Sequence, residues 1–265
     1  MEHITKKQDW TKNVFKGINF IAHRGLSKYF PENTLKAYVE ADRLGFKGWE
    51  CDPYVSTDGV WFNMHDDTVD RTTDSSGKSN SFTWEELKTM NIDGGNNAKY
   101  FKGLKIPTIE EIFRLASSCE NKPVLFLNNR SATPIDSDNT KSLADIIKKY
   151  NYEEKTLIFT EMSNFQGIRK ELPNVGVILD FGSSIPTTEQ LTQLSKFNPN
   201  AMAGIMYTVL LGEYGNRVIK DCEDLGLLIQ AHTVNDEEVV NQLVNKGVNV
   251  ILTDYITEIG GGYNE

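Results

Sequence analysis

The 265 residues carry a formal net charge of −9, with 39% hydrophobic and 25% charged side chains. That balance describes a globular chain able to bury a sizeable core, and it excludes a nucleic-acid binder, because no basic cluster of the kind a phosphate backbone demands is present. A small phosphate-bearing ligand, which needs only one or two well-placed cations, stays allowed.

The three cysteines, Cys51, Cys119 and Cys222, form no CxxC pair and no disulfide framework. The first residues, Met1-Glu2-His3-Ile4-Thr5-Lys6-Lys7, contain no apolar leader region, and no apolar run reaches membrane-spanning length. A soluble, cytoplasmic protein is the expectation, with a secreted form or a place in a larger assembly left open.

From the N-terminus onward, short apolar runs alternate with helical patterns. Strands are expected at Asn19–His23, Gly48–Asp52, Val124–Asn128, Thr156–Thr160, Val175–Asp180, Ala201–Met206, Leu227–His232 and Asn249–Thr253. Each is nearly continuous in apolar character, as strands buried on both faces are. Between them, spaced apolar residues predict helices over Thr34–Leu44, Thr108–Ser117, Ser142–Tyr150, Phe165–Leu172, Glu189–Phe197, Glu213–Leu225 and Asp236–Lys246. Thr108 followed by Glu111 is a capping signal, and Asp236-Glu237-Glu238 loads acids into a first turn. Eight strands alternating with helices is the count of a closed (β/α)8 TIM barrel, and a chain of this length forms such a barrel as a single domain. An open doubly wound sheet competes, but no GxGxxG follows the first strand.

One segment breaks the rhythm. Asp58-Gly59 signals a hairpin turn, and Pro53–His65 is too short for a parallel crossover. A hairpin folded about Thr57–Gly59 would return His65 to the side of Glu50 and Asp52. Residues 66–105 then read as a polar, Gly- and Asn-rich insertion after the second strand, with one short helix at Trp84–Met90 and a lid-like place over the strand ends.

The chain has four histidines, and two of them, His23 and His65, stand near the ends of apolar runs together with the Glu50–Asp52 pair. Histidine is the side chain whose proton moves near neutral pH. Glu50 and Asp52, two apart on one strand, point the same way and can offer oxygen ligands to Mg2+ or Ca2+. Acid–base chemistry beside a cation is the reading this group supports.

His23-Arg24-Gly25, Pro31-Glu32-Asn33-Thr34, Glu50-x-Asp52, Thr57-Asp58-Gly59, His65-Asp66 and Asp70-Arg71-Thr72-Thr73, followed much later by Thr233-Val234-Asn235 and Thr253-Asp254, resemble the glycerophosphodiester phosphodiesterase family. The set runs in order along nearly the whole chain. The resemblance implies a barrel with a divalent cation at its mouth, His23 and His65 sharing the acid and base roles, and Arg24 on the phosphate, where its bidentate fork is suited. Glu32 and Asn33 read as capping residues of the following helix. Asp66 and Arg71 are expected to organise the loop after His65.

Two departures stand out. Where the family carries a third acidic ligand in a Glu-x-Lys pattern, this chain has Asn128-Asn129-Arg130. Asn128 would offer a neutral carbonyl, Arg130 would replace the lysine on the phosphate, and Glu161 is a candidate to supply the missing carboxylate. His232 stands where the family has tryptophan, which implies an altered substrate pocket.

The expectation is metal-dependent hydrolysis of glycerophosphodiesters to glycerol 3-phosphate and an alcohol. A glycerol-phosphate polymer such as teichoic acid is an alternative substrate, and a catalytically inactive barrel serving as a binding module is the non-enzyme alternative. A lipid-acting relative resembling sphingomyelinase D would need an apolar rim, which the polar insertion disfavours.

Overall fold

The computed structural model describes residues 9–129, 137–248 and 250–255. Eight parallel strands close a barrel: β1 (Asn19–Ala22), β2 (Gly48–Cys51), β5 (Val124–Asn128), β6 (Thr156–Phe159), β7 (Gly176–Asp180), β8 (Ala201–Met206), β9 (Leu228–His232) and β10 (Val250–Thr253). The order around the ring is β1-β10-β9-β8-β7-β6-β5-β2, so the first and last strands meet. At that seam Asn19 faces Val250 and Ala22 faces Thr253.

The strand period of two sorts side chains into two shells. Ile21, Val124, Phe126, Leu157, Phe159, Ile178, Met202, Val250 and Leu252 fill the barrel. The alternate residues, among them Trp49, Cys51, Leu125, Leu127, Ile158 and Ile251, pack outward against the helices. Both faces are apolar, which is why the strands read as continuous runs rather than as alternation.

All eight expected strands are present, and the capping signals act as their residue types require. Thr108 accepts from the Glu111 backbone N–H, and the Glu111 carboxylate accepts from the Thr108 N–H in return. Asp236 likewise accepts from the Val239 N–H. The expected helix Glu213–Leu225 is present as Gly215–Asp224, and a further short helix, Tyr207–Leu211, precedes it. The two pack so closely that a Cβ at Gly215 would lie 1.9 Å from the Leu210 carbonyl oxygen.

Two further elements lie at the two ends of the barrel. The hairpin β3 (Pro53–Val55) and β4 (Trp61–Asn63) pairs antiparallel, as Asp58-Gly59 indicated. With residues 66–106 it forms a second small core of Tyr54, Phe62, Met64, Val69, Leu87, Met90, Ile92 and Ile106. The segment 66–105 is thereby fastened: Asn96 and Asn97 donate to the Ser27, Lys28 and Tyr29 carbonyls, and Phe101 packs on Phe30. Among the described residues no helix is long and apolar enough to cross a membrane.

The second element has no signal in the periodicity. A short helix, Trp10–Val14, closes the N-terminal end of the barrel, with Trp10 and Phe15 joining the interior cluster. The Trp10 indole N–H donates to the Asn174 carbonyl at 2.7 Å. Trp10→Ala is therefore expected to cost about 3–5 kcal/mol through the cavity it opens. Urea denaturation should show a lower midpoint, while the mouth at the opposite end keeps its geometry.

Candidate active site

Six strands carry a polar side chain at the mouth that continues their inward file. Ile21 is followed by His23, Gly48 by Glu50 and Asp52, Phe126 by Asn128, Ile178 by Asp180, Gln230 by His232, and Leu252 by Asp254. The C-terminal ends of the strands are where a barrel of this kind assembles its site.

After β1 the backbone turns sharply, with Arg24 and Gly25 both in the left-handed region (φ 57° and 81°). Gly25 is required there, since a Cβ would lie 2.6 Å from that of Ala37. The turn delivers the Arg24 backbone N–H to Glu50 Oε2 at 3.1 Å and the Arg24 guanidinium to Glu32 at 2.9 Å. Its Nε lies 3.5 Å from Asp52. Such strain in a tight turn persists only when its surroundings fix it, and here three acids do.

Glu50 and Asp52 are 0% and 1% exposed. Burial, and after it the charge of Asp52, pushes the Glu50 carboxyl up to about 7. Asn128 donates its amide N–H to Glu50 Oε1 at 3.1 Å. Asp52 is held by Asn33, whose amide N–H donates to Oδ2 at 2.8 Å, and by Asn63, whose Oδ1 accepts the Asp52 backbone N–H at 2.8 Å. Tyr38 completes this buried set, donating to Asn33 Oδ1 and to the Glu50 carbonyl. The other Asp52 oxygen, Oδ1, is buried with no hydrogen-bond partner among the described residues.

Both histidines are oriented through Nδ1 by a carboxylate. His23 pairs with Asp254 at 2.7 Å, and Asp254 is itself held by Ser27 and Asn235. His65 pairs with Asp66, also at 2.7 Å. A carboxylate on Nδ1 places the ring proton there and leaves Nε2 as the basic nitrogen. Burial opposes the charged form of His23, but the Asp254 bond and the nearby Glu50 outweigh it and raise the pKa. Asp254 moves down to about 2 although its burial acts the other way.

Around His65 runs a chain of ion pairs. Arg71, from the segment 66–105, bonds Asp66 at 2.6 and 3.0 Å and Glu32 at 2.7 and 2.8 Å. Glu32 in turn bonds Arg24. Within that segment the backbone folds back tightly on Arg71, since a Cβ at Gly94 would lie 2.1 Å from the Arg71 carbonyl oxygen. The expectation that Glu32 and Asn33 cap the next helix is corrected here. Thr34 is the cap, accepting from the Ala37 N–H, while Glu32 and Asn33 face the site.

The remaining candidates are placed less uniformly. His232 Nε2 lies 3.6 Å from Asp180, on the far side of the mouth from Glu50. Glu161 is exposed at the start of the turn Met162–Asn164, and among the described residues no third carboxylate, Cys or His joins Glu50 and Asp52 in a metal-binding group. The sequence expectation that Glu161 supplies the missing ligand therefore finds no counterpart in the geometry: a chain leaving β6 straight into that turn carries the side chain to solvent. Arg130 lies outside the described residues.

A sequence profile of the glycerophosphoryl diester phosphodiesterase family matches residues 23–258, which spans the histidines, both acids and Asp254. The chain belongs to that family. A glycerophosphodiester phosphodiesterase of Caldanaerobacter subterraneus is 32% identical over 243 residues, covering 88% of this chain and 93% of that protein. One from Bacillus subtilis is 26% identical over 251 residues, covering 89% and 83%. Among solved structures, a phosphodiesterase from Oleispira antarctica in complex with the product sn-glycerol-3-phosphate superposes with a TM-score of 0.80 at 24% identity, covering 92% of this chain and 95% of that one. A glycerophosphodiester phosphodiesterase from Agrobacterium tumefaciens gives 0.72 at 21%, covering 89% and 96%. At those identities the two structures speak for the shared barrel.

In this member of the family, Asn33 has a left-handed backbone (φ 58°) as well as its amide contacts, so Asn33→Gly removes the contacts without backbone strain. Leaving Asp52, Asn63 and Tyr38 short of partners should cost about 1–3 kcal/mol in urea denaturation. A second expectation concerns acid. Arg71 and His65 together hold Asp66 down at about 2 despite partial burial. A depressed carboxyl contributes stability above its unfolded pKa near 4 and loses it as pH falls toward 2. Arg71→Gln should therefore lower stability at pH 7 and narrow the loss between pH 4 and 2, read from denaturation midpoints across that range.

Proposed function

We propose that this chain, a glycerophosphodiester phosphodiesterase by family, hydrolyses its diester to sn-glycerol 3-phosphate and an alcohol using a divalent cation, Ca2+ or Mg2+, at Glu50 and Asp52 and proton exchange at His23 and His65. The observation that carries the reading is a buried acid pair with the carboxylate-oriented His23 beside it and the hairpin bonding Asp52 one residue before the carboxylate-oriented His65. The relative from Caldanaerobacter, similar over nearly its whole length, supplies the substrate class.

The residues present fit a hard cation. Two carboxylates buried side by side repel each other, and of their four oxygens only Asp52 Oδ1 lacks a hydrogen-bond partner among the described residues. Glu50 and Asp52 would hold the ion, with Asn128 at the edge of the site. In the geometry described, Asn128 turns its nitrogen toward Glu50 and so orients that carboxylate. The ion, when bound, neutralises phosphate charge and stabilises the charge that builds on phosphorus oxygens in the transition state.

The rest of the chemistry belongs to the chain. A diester repels nucleophiles by its charge and has a poor alkoxide leaving group, so one base and one acid are needed. His23 and His65, each holding its proton at Nδ1 through Asp254 or Asp66, present Nε2 for these two transfers. One accepts the proton of the attacking hydroxyl, and the other returns a proton to the departing oxygen. Arg24, fixed between Glu32 and Asp52, adds positive charge beside the phosphate position. A small diester fits this reading, and Arg130, from its place after Asn128 in the sequence, is a second candidate for the phosphate.

The test is release of sn-glycerol 3-phosphate from a panel of glycerophosphodiesters with chelator, Mg2+ and Ca2+ arms. Chelation should abolish turnover and one of the two ions should restore it. His23→Ala and His65→Ala should each lower kcat by about 10²- to 10⁴-fold. No turnover with any diester and either ion would instead favour a barrel that binds without reacting.

A further inference from the structure

Across the ring from β2 stands β8, four strands away in either direction, and its neighbours β7 and β9 form the wall facing the acid pair. That wall carries a polar group which neither the phosphate nor the proton transfers use. Asp180 ends β7 and His232 ends β9, with a full strand between them, yet their side chains approach to 3.6 Å.

Beside Asp180 the intervening strand presents no side chain, while Met206 lies in register with His232. Gly204 of β8 pairs with Asp180 on one side and with Gln230 on the other. A Cβ at Gly204 would sit 3.4 Å from Asp180 Oδ1 and 3.3 Å from Ile178 Cγ2. The glycine leaves a notch that the carboxylate and the imidazole close from either side.

The notch is rich in acceptors. Asp180 receives the Gly182 backbone N–H at 2.8 Å and keeps a side chain 37% exposed to the mouth. Two residues below His232 on the same inward file, Gln230 is fully buried, and its Oε1 has no hydrogen-bond partner among the described residues. A partly exposed carboxylate and a buried amide oxygen here invite N–H or O–H groups, with the imidazole closing the other side. A trimethylammonium group offers none and is held elsewhere by aromatic faces.

We infer that the Asp180–His232 pair over Gly204 is the specificity site for the substituent carried by the phosphate, and that it selects hydroxyl-bearing or primary-ammonium alcohols over quaternary-ammonium ones. This rests on the reading of the mouth as a glycerophosphodiester site. A diester whose phosphate lies by Glu50, Asp52 and Arg24 has one substituent directed across the barrel, and that wall is what it meets. A site built to accept hydrogen bonds discriminates against a group without donors, and partial exposure of Asp180 limits the factor to about tenfold.

The experiment measures binding of glycerophosphoglycerol, glycerophosphoethanolamine and glycerophosphocholine by titration calorimetry to His23→Ala protein, which removes one of the two proton-transfer groups. The expected order places the first two about tenfold tighter than the third, and adding Asp180→Asn or His232→Phe should bring the ratio toward one. Gly204→Ala, which narrows the notch by setting a methyl 3.4 Å from Asp180 Oδ1 while keeping both polar side chains, should also reduce the ratio. Equal affinity for the three diesters, or a ratio unmoved by all three substitutions, overturns the assignment. So does a uniform loss across the ligands, which would place the pair on the glycerol they share. If the unsubstituted enzyme proves inactive, the proposed hydrolysis fails, while the binding ratios still decide the specificity site.

Discussion

Two carboxylates buried within one turn of strand are the constraint around which the rest of this mouth is arranged. Glu50 and Asp52 lie on the same inward file, at 0% and 1% exposure. Removing two anions from water costs several kcal/mol each unless partners replace the solvent. The chain supplies these from three directions: the Arg24 backbone and guanidinium, the Asn33 amide and the Asn128 amide. Most of them are neutral donors. Neutral donors hold carboxylates in place without cancelling their charge, which leaves Glu50 hard to ionise and one Asp52 oxygen without a partner among the described residues. Such an arrangement is costly as structure and useful as a seat for positive charge.

The hairpin explains how His65 reaches that seat. A parallel crossover after β2 would have carried the chain to the outside of the barrel and back. The short antiparallel return instead brings the Met64 N–H to the Asp52 carbonyl at 2.9 Å, one residue before His65. The segment 66–105 then packs its own apolar cluster against the hairpin and locks Arg71 between Asp66 and Glu32. Exposed ion pairs are individually worth little, but Glu32 is only 11% exposed and joins two arginines from separate loops. The result couples the loop after β1 to the loop that carries His65.

Much of this was legible because the signals are local. Continuous apolar runs located all eight strands, Asp58-Gly59 located the hairpin, and Thr108 with Glu111 located a cap. What escaped is long-range. Trp10–Val14 is too short to show a period, and its function as a plug depends on Asn174. Glu32 and Asn33 precede a helix and read as caps, but their partners lie in the loop at Arg71 and at Asp52. Asp254 looked like part of a closing motif, whereas its work is to hold His23, 231 residues earlier. The Asp180–His232 pair depends on a glycine in a third strand, and no pairwise reading of sequence spacing reveals such a notch.

The two histidines differ in what their orientation requires. Asp66 is adjacent to His65, so that pair is set by a single loop and its arginine clasp. His23 and Asp254 come from opposite ends of the chain and meet only where β1 pairs with β10. The same seam brings the His23 backbone N–H to the Thr253 carbonyl at 2.9 Å and Lys28 to the Asp254 carbonyl at 3.1 Å. Closing the ring and fixing the His23 tautomer are thus one structural event. An open sheet with the same strands would keep the acid pair and the His65 loop but lose the carboxylate that orients His23. Barrel closure is therefore part of the chemistry of the site as well as of its stability.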